Sequence, residues 1–185
     1  MAKRLRIRAA TKTDAPLIHR LWSDPRVTTF VGFPNGIPTT QAEIEAQIER
    51  DDDRPLRRLL IAEHLGGGAP IGEVKLGEPN EQGICEPDIK LLPDCWGNGY
   101  GTELWRAMID HLFQQTACAI VQGTPNIANT ASIRMMERCG MSRIGEGRFE
   151  PGGPLKDSMT PVPHYIYQIA RRDWAARTAD AVADT

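Results

Sequence analysis

Apolar and basic side chains alternate through Leu5-Arg6-Ile7-Arg8-Ala9, the signature of a half-buried strand. A helix start follows at Thr13-Asp14-Ala15-Pro16, with Thr13 or Asp14 as cap and Pro16 in the first turn. Leu17, Ile18, Leu21 and Trp22 then form one apolar stripe. Residues 24–38 are rich in Pro and Gly and are expected to be mostly loop. Residues 40–50 predict a helix with Ile44 and Ile48 on one side. Residues 58–64 and 70–76 predict strands joined by a hairpin at Leu65-Gly66-Gly67-Gly68. Residues 84–92 predict one further strand. A helix over 101–115 carries a broad apolar face of Leu104, Trp105, Met108, Ile109, Leu112 and Phe113, which makes Trp105 a core residue. A buried strand over 118–122 and a short amphipathic helix over 131–139 come next, the helix capped by Asn129 and closed by Gly140. Residues 142–149 and 164–170 predict closing strands. Between them, Pro151-Gly152-Gly153-Pro154, Pro161 and Pro163 mark a long surface loop. Beyond Trp174 the chain is Ala-rich and polar, so residues 175–185 are expected to be a flexible tail behind a single domain at 1–174. Hairpins at both ends and helices in the middle predict an α/β (α+β mixed) architecture, a mixed sheet with helices on its faces.

A length of 185 residues allows one domain with a real core. A formal net charge of −2 supplies no general field for nucleic acid or an anionic membrane, so neither is expected as a partner. No apolar run approaches the ~20 residues that cross a bilayer. Met1-Ala2-Lys3-Arg4 is basic but lacks a following apolar segment, which argues against a secretory signal. The cysteines Cys85, Cys95, Cys118 and Cys139 are scattered, so neither a disulfide framework nor a metal site is expected; free thiols fit a cytoplasmic protein.

The stretch Leu91-Leu92-Pro93-Asp94-Cys95-Trp96-Gly97-Asn98-Gly99-Tyr100-Gly101-Thr102 carries the strongest chemical signal. It predicts a strand end, a glycine-rich turn and the first turn of a helix. Glycines at alternate positions leave backbone amides uncovered, and the helix adds free amides and the positive end of its dipole. Such a turn suits a phosphate or pyrophosphate. It is not a P-loop, because no lysine follows Gly101, and it is one residue short of a dinucleotide fingerprint. The plain alternative is a glycine turn that only connects strand to helix.

A second motif follows in Asn129-Thr130-Ala131-Ser132 through Gly140-Met141. With it, the chain resembles the GNAT superfamily of acyl-CoA-dependent N-acetyltransferases. The family's loop, (Arg/Gln)-x-x-Gly-x-Gly/Ala, matches Trp96-Gly97-Asn98-Gly99-Tyr100-Gly101 except at its first position. Trp96 there, after Leu91-Leu92-Pro93, resembles the branch that acetylates N-terminal amines of ribosomal proteins. The resemblance implies a splayed, mostly antiparallel sheet of about seven strands with helices on both faces. Acetyl-CoA, the acyl donor, would lodge in the V between strands four and five.

Residue roles follow from that resemblance. Backbone amides of Trp96, Gly97, Asn98, Gly99, Tyr100 and Gly101, with Thr102 in the first helical turn, would hold the pyrophosphate. The edge of strand 89–92 would pair with the pantetheine arm, and the amide of Leu91 or Leu92 would polarise the thioester. Asn129 would bond the pantetheine and Ser132 the leaving thiolate; the bland alternative is a helix cap and a solvated hydroxyl. Tyr165 and Tyr167 are alternative proton donors. Glu86 and Asp88, two apart on a strand, share a face and are candidates to activate or bind a cationic amine, with Glu73 as a third carboxylate. Glu86 falls where the branch often has Glu, whereas Pro87 and Asp88 depart from its pattern. The acceptor is an amine, either a small molecule such as a polyamine or aminoglycoside, or a protein N-terminus, the last favoured by Trp96. Its site is expected from loops 22–38 and 150–163. Homodimers are common in this branch, which makes a second copy a candidate partner. The competing function is a non-catalytic acyl-CoA-binding regulatory module.

Overall fold

The computed structural model describes residues 4–153 and 156–183, with side chains described through residue 179. Met1 to Lys3, Pro154 of the surface-loop signal and the last two residues of the expected tail lie outside it. The described elements run β1 (Leu5–Ala9), α1 (Ala15–Ser23), α2 (Pro25–Thr28), α3 (Gln41–Arg50), β2 (Leu60–His64), β3 (Pro70–Lys75), β4 (Ile84–Cys85), β5 (Asp88–Leu91), α4 (Tyr100–Gln115), β6 (Ile120–Gly123), α5 (Thr130–Arg138), β7 (Ser142–Phe149), β8 (Val162–Ala170) and α6 (Arg171–Ala183). They form two four-stranded sheets, β1-β2-β3-β5 and β4-β6-β8-β7. All pairings are antiparallel except β4 with β6.

The eighth strand arises because the expected strand over 84–92 is two strands. Pro87 has no N–H for a ladder and separates them. Ile84 and Cys85 pair in parallel with Ile120 and Val121. After the break, the same chain joins the other sheet, with Asp88 opposite Lys75 and Leu91 opposite Gly72. One extended stretch thus belongs to both sheets, which diverge from Cys85 and Val121 as a V. This is the splay implied by the family resemblance.

The stripe of α1 and the apolar side of α3 cover one face of the first sheet, where Ile18, Leu21, Trp22, Ile44 and Ile48 bury with Leu59 and Ile61. Helix α4 fills the other side. Leu104, Trp105, Met108, Leu112 and Phe113 pack there with Val74 and Leu91 of one sheet and Val121, Tyr167 and Ile169 of the other. Each such large side chain contributes roughly 1.5–3 kcal/mol on burial, so α4 is the wedge that holds the two sheets together. Trp105 is core, as expected, and its Nε1 points at the Met141 sulfur, 3.0 Å away.

Local capping explains the helix starts. The Thr40 Oγ1 accepts from Glu43 N at 3.2 Å, and Thr40 N donates to Glu43 Oε2 at 2.7 Å, a reciprocal capping box before α3. Asp14 does not cap α1 through its side chain. Its carboxylate takes two hydrogen bonds from Arg8, at 2.7 and 2.8 Å, and one from Thr11 N at 2.8 Å. The loop expected over 24–38 contains α2, capped by Asp24, which accepts from Arg26 N at 2.9 Å. Past Trp174, where a tail is expected, α6 continues to Ala183. Trp174 Nε1 donates to Asp110 Oδ1 at 2.7 Å, and its ring lies 5.5 Å from that of Phe113. At the start of α6, the Arg171 guanidinium donates to the carbonyls of Phe113, Thr116 and Cys118, satisfying the acceptors left over at the end of α4.

Candidate active site

Strand β5 runs into a 3₁₀ turn at Pro93–Cys95 and then the glycine turn. Cys95 N donates to Leu92 O at 2.9 Å and Trp96 N to Pro93 O at 3.1 Å. The Trp96 amide is therefore committed within the turn, and the row of open amides starts at Gly97, one residue later than expected. Gly97 and Gly99 hold φ of +76° and +77°, a left-handed conformation that favours glycine. Gly99 is the N-cap of α4 and leaves the helix start without a side-chain cap. No N–H from residues 97–102 has an acceptor among the described residues. A Cβ at Gly97 would meet nothing within 4 Å, so the approach is open. Open amides at an uncapped helix start fit the diphosphate of acetyl-CoA.

Side chains brace this turn from behind. Asn98 Nδ2 donates to Cys95 O at 3.3 Å and Trp96 O at 3.1 Å, so the Asn98 side chain is structural. Arg4, absent from the sequence candidates, donates to Asn98 O at 3.1 Å and lies 4.7 Å from the centre of the Tyr100 ring. His64 and that ring meet in a T-shaped arrangement, with centres 5.1 Å apart. Arg4 Nε also donates to Glu103 Oε2 at 2.8 Å. Burial opposes ionisation of Glu103, but the bonds from Arg4 and Leu5 override it and hold the carboxyl below its usual range. The sequence signal for Arg4 was its place in the alternation with Arg6 and Arg8, which reads as a solvated face.

The β5 edge distinguishes the two amides expected at the thioester. Leu92 N donates to Ile71 O at 2.9 Å, so Leu92 faces β3. Antiparallel alternation turns the N–H and C=O of Leu91 to the opposite edge, which carries no strand of its own sheet. There Leu91 O accepts from Trp96 Nε1 at 2.9 Å, with the Trp96 side chain laid along the edge and the residue 47% exposed. The Leu91 N–H remains open, whereas the Leu92 amide does not. Their side chains are packing residues, Leu91 on the α4 side and Leu92 on the α1 side.

Helix α5 is brought to the same place by close packing. A Cβ on Gly101 would lie 3.1 Å from the Met135 sulfur and 3.6 Å from Ile89 Cδ1, so glycine lets α4, α5 and β5 converge. Thr102 O accepts from the Cys139 thiol at 3.7 Å on the same seam. Asn129 caps α5, its Oδ1 accepting from Ser132 N at 3.1 Å. The half-buried Ser132 hydroxyl has no hydrogen-bond partner among the described residues. Of the two tyrosines, Tyr167 donates to Glu137 Oε1 at 3.0 Å, and burial together with that carboxylate raises its pKa. The Tyr165 ring is covered by the Arg143 guanidinium at 3.5 Å.

Glu86 sits exposed in the break between β4 and β5. Its Oε1 accepts from Gln122 Nε2 at 2.5 Å across the V, and Gln122 Oε1 accepts from Gln168 Nε2 at 2.6 Å. Gln122 and Gln168 were not candidates; alternation within buried strands was their only signal. Asp88 instead pairs with Lys90. Partial burial resists its ionisation, but the Lys90 ammonium prevails and holds the carboxyl below its usual range. Lys90 is raised in turn: burial pulls it down, while Asp88 and Glu73 override. Glu73 is 1% exposed and accepts from Trp22 Nε1 at 2.6 Å, an interior role. Glu86 and Asp88 both line one cavity of about 490 Å³ beside the end of α3. The two loops expected to flank the cleft also meet, with Thr160 N donating to Gly32 O at 2.7 Å. Among the described residues, no helix is long and apolar enough to cross a membrane.

The model of the acetyltransferase (GNAT) domain family matches residues 4–142. The chain is 23% identical over 177 residues to "Uncharacterized N-acetyltransferase p20" of Bacillus licheniformis, covering 94% of this chain and 96% of that protein. Its fold is similar to that of a GNAT-family acetyltransferase from Bacillus anthracis, with a TM-score of 0.74, 22% identity, and coverage of 93% of this chain and 98% of the other. It is also similar to spermidine N-acetyltransferase from Vibrio cholerae in complex with CoA and spermine, with a TM-score of 0.76, 19% identity and the same coverage. With a family match that runs from the first strand through the open-amide turn and α5, this chain belongs to the GNAT acetyltransferases, enzymes that transfer an acetyl group from acetyl-CoA to an amine.

Proposed function

We propose that the protein acetylates a primary amine by direct transfer, with Glu86 drawing the proton from the incoming ammonium and Ser132 relaying to the departing thiolate the proton that the attacking nitrogen sheds as the amide forms. The observation that carries this is Glu86 itself. It is a carboxylate at the floor of the V whose described partner is the neutral amide of Gln122, so no cation competes for it. Asp88, tied to Lys90, orients the acceptor rather than taking its proton. The amides of residues 97–102 hold the diphosphate. Acetyl-CoA, when bound, supplies an activated acyl group. The Leu91 N–H faces the oxygen on which charge develops, and a donor so aimed contributes on the order of 3 kcal/mol. The unpartnered Ser132 hydroxyl is free to donate. A protein α-amine, a polyamine and an aminoglycoside all present the amine that this arrangement requires.

Release of free CoA across an amine panel tests the reading. Glu86→Gln is expected to lower kcat by about 10²-fold or more, and Ser132→Ala to lower it less, with CoA affinity by calorimetry retained in both. Unchanged turnover in both variants would remove the assigned roles. Slow thioester hydrolysis that no amine accelerates would favour an acyl-CoA-binding module instead.

A further inference from the structure

The charges around the cavity beside Glu86 are not evenly compensated. Glu73, Lys75, Asp88 and Lys90 form a balanced set, with Lys90 on Asp88, Lys90 3.9 Å from Glu73 and Lys75 3.8 Å from Glu73. Glu78 has Arg54 at 3.8 Å. Asp51, only 2% exposed, is shared by two guanidinium groups, Arg50 at 3.7 Å and Arg57 at 3.5 Å. Two unneutralised charges remain on the cavity wall: the Glu86 carboxylate and one guanidinium of the Arg50–Arg57 pair.

That guanidinium pair is held but not saturated. Both contacts to Asp51 exceed hydrogen-bond length, and Asp51 Oδ1 is buried without a hydrogen bond. Neither Arg50 nor Arg57 donates a side-chain hydrogen bond among the described residues. Asp51 therefore anchors two planar forks at the cavity and leaves their N–H groups available. Such forks suit carboxylate or phosphonate oxygens in a bidentate fashion. A cavity of about 490 Å³ is sized for a small molecule.

From this charge pattern we infer that the acceptor is a small amine that also carries an anionic group. Its ammonium meets Glu86 and its anion meets Arg50 and Arg57. The inference rests on the transferase reading and names its acceptor class. A polyamine calls for a carboxylate at each ammonium, and this wall offers one uncompensated carboxylate, with an uncompensated guanidinium as its only other open charge among the described residues. Placing a second ammonium near Arg50 and Arg57 would set like charges together with no compensation.

The test compares four acceptors in the CoA-release assay: an α-amino acid, its α-amide, the matching aminoalkylphosphonate, and spermidine. The amino acid or the phosphonate is expected to exceed the amide and spermidine in kcat/KM by about tenfold or more, and the better of the two anions identifies the group. In the Arg50→Gln/Arg57→Gln double variant that ratio should shrink to about threefold or less, through KM rather than kcat. Equal use of the amide or of spermidine, or a ratio that survives in the double variant, overturns the inference while leaving the transferase reading intact, since acetyl-CoA is still consumed. Consumption with none of the amines overturns both.

Discussion

At Gly99 the backbone holds φ of +77° and turns the amides on either side of it outward. A Cβ there would lie 3.7 Å from Arg4 Nη2. In Gly99→Asp the new carboxylate has Arg4 within reach, and the left-handed backbone costs only roughly 1–2 kcal/mol. The fold is therefore expected to persist, with a melting temperature lowered by a few degrees. The same charge sits where the diphosphate must bind, so CoA affinity measured by calorimetry should fall about 100-fold or more. Undiminished affinity would place the diphosphate elsewhere. The glycines and the bare helix start were legible because they depend only on neighbouring residues. Which amides stay open was not. The Trp96 amide is taken by a 3₁₀ turn and the Leu92 amide by β3, and neither is written in a local pattern. Arg4 was hidden for the same reason, since its partner Glu103 lies 99 positions away.

Elements with strong periodicity were readable: α4 by its apolar face, α3 by Ile44 and Ile48 on one side, β7 and β8 as the closing strands. Pro87 was visible as a missing ladder donor, but the change of sheet that it permits depends on β6, some thirty residues on. Helix α6 was hidden because its stripe is weak. It is held by contacts at scattered positions, Trp174 on Asp110 and Phe113, Arg171 on the end of α4, and Arg177 on the Gly140 carbonyl. Helix α3 matters beyond stability, because its C-terminal turn carries Gln47 and Arg50 to the cavity wall. Removing its cap in Thr40→Ala is expected to cost about 1 kcal/mol in chemical denaturation. A loss indistinguishable from zero would mean that tertiary packing, not the capping box, sets the start of α3.

The whole molecule is tied at one side by Arg8, which links β1 to Glu63 on β2 and to Asp14 before α1. Both carboxyls titrate low. For Glu63 the Arg8 bond is the main cause, with burial opposing and Arg6 assisting. For Asp14 burial opposes, and Arg8 with Thr11 overrides it. A folded-state value below the unfolded one means that the stabilisation is complete above the unfolded carboxylate pKa of about 4. It is lost as the pH falls through the lower folded values. Denaturation midpoints should therefore hold from neutrality to about pH 5 and drop below about pH 4. Asp14→Asn should be less stable at neutral pH and show a shallower acid slope; an unchanged slope would assign the acid sensitivity to other groups.

Because one run of chain serves both sheets, only Glu86 and Pro87 separate the strand of one from the strand of the other. The jaws join at two short strands, with Cys85 and Cys118 buried at the fulcrum and the Cys85 thiol pushed up to about 12 by burial. A guest that pries the jaws apart must strain extended main chain rather than swing a hinge loop. The aperture is thus a property of backbone length, preset before any ligand arrives, and a bulkier side chain at the fulcrum would widen it like a pebble in a clothespin.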